Sequence, residues 1–127
     1  MENILELTEK IMEMAKNDEE IAKKTKKTNT TLTLTVKGTE DVSFGIALDN
    51  GTINFSEGEL PGAEYEVEMS EQSYEDFLDG KIAGLKMMKA ITIVKGSLMG
   101  MRKLMPVFDS LPRIAQKLKG SQIEMVA

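Results

Sequence analysis

At Thr30 the apolar period of this chain switches from helical to alternating, and that switch constrains the fold more than any other feature. Leu32, Leu34 and Val36 face one way and Thr31, Thr33 and Thr35 the other, as in a strand with one buried side. After a turn at Gly38 the pattern resumes with Val42, Phe44, Ile46 and Leu48. Asp49-Asn50-Gly51 is a hairpin signal, since tight hairpin turns need residues that tolerate positive φ, and Ile53 and Phe55 begin a third strand. A loop broken by Pro61 spans Glu57 to Gly62. Tyr65, Val67 and Met69 then alternate with Glu64, Glu66 and Glu68, which predicts a strand with one wet, acidic face. Ala90 to Val94, with Ile91 and Ile93 on one side of Thr92, supplies the fifth.

Helical patterns flank and interrupt these strands. Ile4, Leu7, Ile11, Met14 and Ala15 predict an amphipathic helix over 2–16. Asn17, with Glu20 three residues on, predicts a cap for a short helix over 18–27. Its lysines, Lys23, Lys24, Lys26 and Lys27, suit a solvated helix end and could also touch anionic lipid head groups. Ser70 can cap a helix that places Tyr74, Phe77 and Leu78 on one face and ends at Gly80. An apolar link, Ala83 to Ala90, leads to the fifth strand, and Gly96-Ser97 turns the chain into a helix carrying Leu98, Met101, Leu104 and Met105. Pro106 should kink or stop that helix; Ser110-Leu111-Pro112 restarts one, with Ile114, Ala115 and Leu118 inward and Gly120 at its end. The tail, with Ile123, Met125 and Val126, could fold over an apolar mouth or fray.

The predicted architecture is α+β: a five-stranded, mainly antiparallel sheet with helices covering one face. One domain spans 1–127, with N-terminal helices in 1–27 and four strands in 30–69. Helix, link and fifth strand follow in 70–94, C-terminal helices in 97–119, and a tail in 121–127.

Absences narrow the chemistry. With no Cys there is no disulfide, thiolate nucleophile or Cys-type zinc site, and with no His the usual general base and commonest metal ligand are missing. Glu64, Glu66 and Glu68 line a strand face with no partner base, so they read as a solvated edge. A net charge of −5, two unclustered arginines (Arg102 and Arg113) and few aromatic residues argue against nucleic acid as partner. Neither a membrane-spanning run nor a signal peptide is visible, which makes the cytoplasm the expected compartment. Three glycosylation sequons, at Asn29, Asn50 and Asn54, then read as chance. Gly96 and Gly100 match a close-packing spacing outside the apolar context it needs. The ten methionines stand out, with Met87, Met88, Met99, Met101 and Met105 close together. They are either core filler or a supple wall that repacks around varied apolar guests.

The stretch Ser70–Leu104 resembles the sterol carrier protein type 2 (SCP2) lipid-binding domain family. The resemblance lies in the order and spacing of Ser70, Phe77, Leu78, Gly80, Lys81, Ile91, Ile93, Gly96, Leu98 and Leu104, and extends over roughly residues 1 to 119. One departure is Lys89-Ala90, where the family usually has a Gly before the strand. The resemblance implies an apolar tunnel between the sheet and the C-terminal helices, holding a fatty acyl chain or sterol. Apolar pattern then assigns the wall to Phe44, Ile46, Phe77, Leu78, Ile82, Leu85, Met88, Leu98, Met101, Leu104, Met105, Phe108, Leu111 and Ile114. The expected function is a non-catalytic intracellular lipid carrier without cofactor or metal, whose partners are a lipid or fatty acyl ligand and, transiently, a membrane surface. The alternative is an interaction or regulatory module of the same fold with a filled core, for which an oligomer such as a dimer is open.

Overall fold

The alternating stretch forms the body of a five-stranded sheet in a computed structural model of the protein, which describes residues 4–82 and 85–126, without the side chains of residues 85 and 120–126. Strands β1 (Asn29–Lys37), β2 (Val42–Asp49), β3 (Thr52–Glu57), β4 (Tyr65–Ser70) and β5 (Thr92–Lys95) lie in the order β3-β2-β1-β4-β5. Every neighbouring pair is antiparallel except β1 with β4, which run parallel at the centre. The β2–β3 hairpin turns at Asn50 and Gly51, both at positive φ as the sequence predicts.

Period two decides which side chains meet. Leu32 and Leu34 of β1, Phe44 and Ile46 of β2, and Val67 and Met69 of β4 are all buried on one face, against the helices. The opposite face is less wet than its threonines suggest. The Thr33 hydroxyl is buried and accepts the Leu60 N–H at 3.0 Å, and Thr31 accepts the Glu64 N–H at 2.8 Å, so the β3–β4 loop lies across this side. Gly45, which pairs with Thr33, makes room for it: a Cβ there would stand 2.8 Å from that of Leu60.

Helix α1 (Ile4–Lys16) buries Thr8, Ile11, Met12 and Ala15. Helix α2 (Glu19–Lys24) is capped one residue later than predicted, by Asp18, whose carboxylate accepts the Ile21 N–H at 3.0 Å. Asn17 instead donates its side-chain amide to the Glu13 carbonyl, ending α1. Helix α3 (Glu71–Leu78) starts at Ser70, which accepts the Ser73 N–H, and closes through Gly80 at φ 77°. There Lys81 N–H returns to Asp76 O and Gly80 N–H to Phe77 O, the paired bonds of a left-handed helix stop.

The sequence-predicted link is partly helical: α4 covers Leu85–Ala90, six residues of high helix propensity, and occupies the place of the expected glycine. A further difference follows β5. A single 3₁₀ turn (Gly100–Leu104) replaces the predicted helix from Leu98, and α5 runs unbroken from Met105 to Val126. Pro106 falls in the first turn of α5, where no intrahelical N–H bond is lost, while Pro112 lies inside the helix and Gly120 does not end it. An interior proline costs about 3 kcal/mol. The helix survives because Val107, Phe108, Leu111, Ile114 and Ala115 are all buried, at roughly 1.5–3 kcal/mol for each large side chain.

Candidate functional site

Where the helix layer meets the sheet, side chains from both sides enclose a small apolar cavity. Leu34, Phe44, Ile46, Val67 and Met69 form its floor; Thr8, Ile11 and Met12 of α1, Tyr74 and Phe77 of α3, Met87 of α4, Ile91, and Phe108 and Leu111 of α5 form its roof. Its volume is about 10 Å³, room for about one water molecule. Sites that hold a drug-sized ligand measure roughly 300–1,000 Å³. The interior is therefore nearly closed in this structure.

Its chemistry is uniform. Thr8 and Tyr74 are the polar lining residues, and their hydroxyls bond each other at 2.7 Å across 66 positions of sequence. Burial pushes the Tyr74 phenol well above its ordinary pKa, against the opposing pull of the Thr8 hydrogen bond, so it stays neutral. A row of aromatic rings crosses the layer: Phe55 to Phe44 at 5.8 Å, Phe44 to Tyr74 at 5.9 Å, Tyr74 to Phe77 at 6.4 Å, and Phe77 edge-on to Phe108 at 6.3 Å. Among the described residues no group of three or more acidic side chains is placed to hold a metal ion.

Of the residues singled out by pattern, Phe44, Ile46, Phe77, Phe108 and Leu111 line this cavity. Leu78, Met101, Leu104 and Ile114 are buried in the surrounding core, and Ile82, Met88 and Met105 are half-buried against it. The Leu85 side chain lies outside the described residues. Leu98 is not in the wall: it is 50% exposed at the tip of the turn after β5, because the helix that would have turned it inward does not form there. Pattern missed the α1 contribution (Thr8, Ile11, Met12), Leu34 of β1, Val67 and Met69 of β4, Tyr74 of α3, Met87 of α4, and Ile91. The period-3.6 stripe of α1 and the alternation of β4 were the signals for several of these.

Met12 is also part of a second space. A groove of about 450 Å³ runs between α1 and the edge strand β3, lined by Glu9, Lys10, Glu13 and Lys16 of α1 and by Phe55, Ser56 and Glu57 of β3, with Met12 at its base. Met12 thus lines both the outer groove and the inner cavity. Glu9 and Glu57 face each other there, and the neighbouring Glu57 carboxyl raises the Glu9 pKa above its ordinary value.

Polar contacts clamp the helices over the cavity. Arg113 of α5 lies 2.8 Å from Asp18 and 3.2 Å from Glu20, contacts of charge without hydrogen-bond alignment at the buried Nη2. Burial alone would raise the Asp18 pKa, but the Ile21 N–H and the Arg113 guanidinium together hold it below the usual value. Farther along α5, Gln116 donates to the Leu78 carbonyl at 3.1 Å and Lys119 pairs with Asp79, which fixes α5 to the end of α3.

No protein-family model matches the chain, and no curated protein sequence matches it. Solved structures do. A conserved hypothetical protein from Thermus thermophilus, described as possibly a sterol carrier protein, superimposes with a TM-score of 0.70 at 17% identity, covering 88% of this chain and 85% of its own. A crystal structure of sterol carrier protein 2 gives the same TM-score of 0.70 at 17% identity, with 87% and 93% covered. Palmitated SCP2L2 from Aedes aegypti gives 0.58 at 15% identity, with 79% and 92% covered. At these identities the likeness establishes architecture: this chain has the fold of sterol carrier protein 2.

Proposed function

We propose that the chain is a non-catalytic intracellular carrier that takes the hydrocarbon part of a fatty acyl or sterol-like lipid between its sheet and its helices. The observation that carries this reading is the cavity itself: apolar walls from two layers meet around a void, and Met12, Met69 and Met87 are part of them. Unbranched thioether side chains change rotamer at low cost, so such a wall can part and reclose. The structural likeness to sterol carrier protein 2 and to a palmitated protein of the same fold supports the choice of ligand class.

The energetics suit carriage. Moving a sixteen-carbon chain out of water gains on the order of 10 kcal/mol gross, at about 0.8 kcal/mol per methylene. Exchange with a membrane moves the chain between two apolar phases, so loading and unloading are near balance. Neither step needs a titrating group, consistent with a site whose polar residues are Thr8 and Tyr74.

One specific observation favours a second reading, a module of the same fold whose core is simply full: the void is only about 10 Å³. Titration of delipidated protein with a fluorescent fatty acid separates the two. Carriage predicts saturable binding that unlabelled fatty acid displaces. A filled core predicts a linear, non-displaceable signal.

A further inference from the structure

Between Asp79 and Asp109 the sequence holds six cations, Lys81, Lys86, Lys89, Lys95, Arg102 and Lys103, and no acidic residue, although the chain as a whole carries −5. The same stretch carries the exposed apolar surface. Val94 is 55% exposed, Leu98 50% and Met99 74%; among the described residues, the other large apolar side chain exposed to a comparable degree is Met14, at 36%. The turn that presents them is fixed to the sheet. Gly96, at φ 94°, and Gly100 both lie so close against Tyr65 that a Cβ at either would collide with it, and Ser97 accepts the Gly100 N–H at 3.0 Å. With its backbone held this way, the turn points Leu98 and Met99 into solvent.

Of the charges beside that tip, Lys95 and Arg102 are available. Lys103 is taken up by Glu64 at 2.8 Å and stands over the Tyr65 ring, and Lys95 is opposite Glu66 in register without an ion pair. Lys86, Lys89, Lys95 and Arg102 are exposed, and among the described residues none of them is ion-paired. An apolar tip flanked by the unpaired cations Lys95 and Arg102 matches a surface that offers hydrocarbon beneath a layer of negative charge. A second copy of the chain would bring the same cations face to face, which repels.

We infer that the turn between β5 and the 3₁₀ segment docks on an anionic phospholipid bilayer. Leu98 and Met99 enter the boundary between head groups and acyl chains, and Lys95 and Arg102 lie among the head groups. This surface is separate from the interior cavity, and the inference stands whether or not the cavity takes a lipid.

Co-sedimentation of the full chain with vesicles tests it, using phosphatidylcholine alone and phosphatidylcholine mixed with phosphatidylserine. Binding is expected on the mixed vesicles only, and to fall as salt is added. Leu98→Ser combined with Met99→Ser should weaken it about tenfold or more. Lys95→Ala and Arg102→Ala, also at exposed positions, should each weaken it about fivefold. Lys23→Ala with Lys26→Ala serves as the control and should leave it unchanged. The inference is overturned by absence of binding to mixed vesicles, by equal binding to both kinds, or by loss in the Lys23/Lys26 variant while the turn variants bind normally. It is overturned equally if the protein self-associates through the turn, with the Leu98/Met99 variant dispersing that dimer and vesicles remaining unbound.

Discussion

Asp18 does two jobs that can be separated. Its carboxylate caps α2 through the Ile21 N–H and faces Arg113 of α5, with only 11% of the side chain exposed. Asn caps a helix about as well as Asp, whereas Ala does not, at a cost of typically about 1 kcal/mol. Asp18→Asn should therefore keep the cap and lose the charge, while Asp18→Ala loses both and is the less stable variant in urea unfolding at neutral pH. The sign with pH follows from the lowered folded-state pKa. Stabilisation by this carboxylate is fully present above the ordinary aspartate value and is lost as pH falls through the lower folded value. The stability gap between the wild type and Asp18→Asn should accordingly shrink on acidification; a gap that stays constant down to strongly acidic pH would remove the Arg113 pairing from the account.

At the scale of elements, two glycines with similar backbones should respond differently to the same change. Gly80 closes α3 at φ 77° with open space around its Cα, so Gly80→Ala loses only left-handed freedom, roughly 1–2 kcal/mol. Gly96 has φ 94° and lies against the Tyr65 ring, so Gly96→Ala adds a collision to the same backbone cost and should destabilise more. Thermal unfolding of the two variants measures the order, and equal losses would mean that the turn after β5 is not held on Tyr65. The same elements show what the sequence made legible. Alternation at Leu32, Phe44 and Val67 and the Ser70 and Gly80 signals are local, and local chemistry decided them. The course of α5 was not legible, because Pro106 and Pro112 are local stop signals that burial of Phe108, Leu111 and Ile114 outweighs. Helix α4 was too short to show a period. The covered threonine face had one available sign, Gly45 in the middle of a strand, which marks close approach by another segment.

For the whole molecule, the central matter is whether a nearly closed interior opens to admit a chain. The helices over that interior are tied down by a few contacts, Arg113 with Asp18, Gln116 with Leu78 and Lys119 with Asp79, and by apolar packing. The architecture was readable because an alternating block bracketed by helical patterns has few solutions. The size of the void was not, because the same buried methionines fill a core or line a cavity depending on displacements of an ångström. The ten methionines provide the most direct probe, as ¹³C-methyl signals in an NMR titration of delipidated protein with palmitate. Carriage predicts that Met12, Met69 and Met87, which wall the cavity, shift and saturate together while solvent-exposed Met99 stays in place. Unchanged signals from those three at saturating palmitate, with any shift confined to Met99, would contradict it.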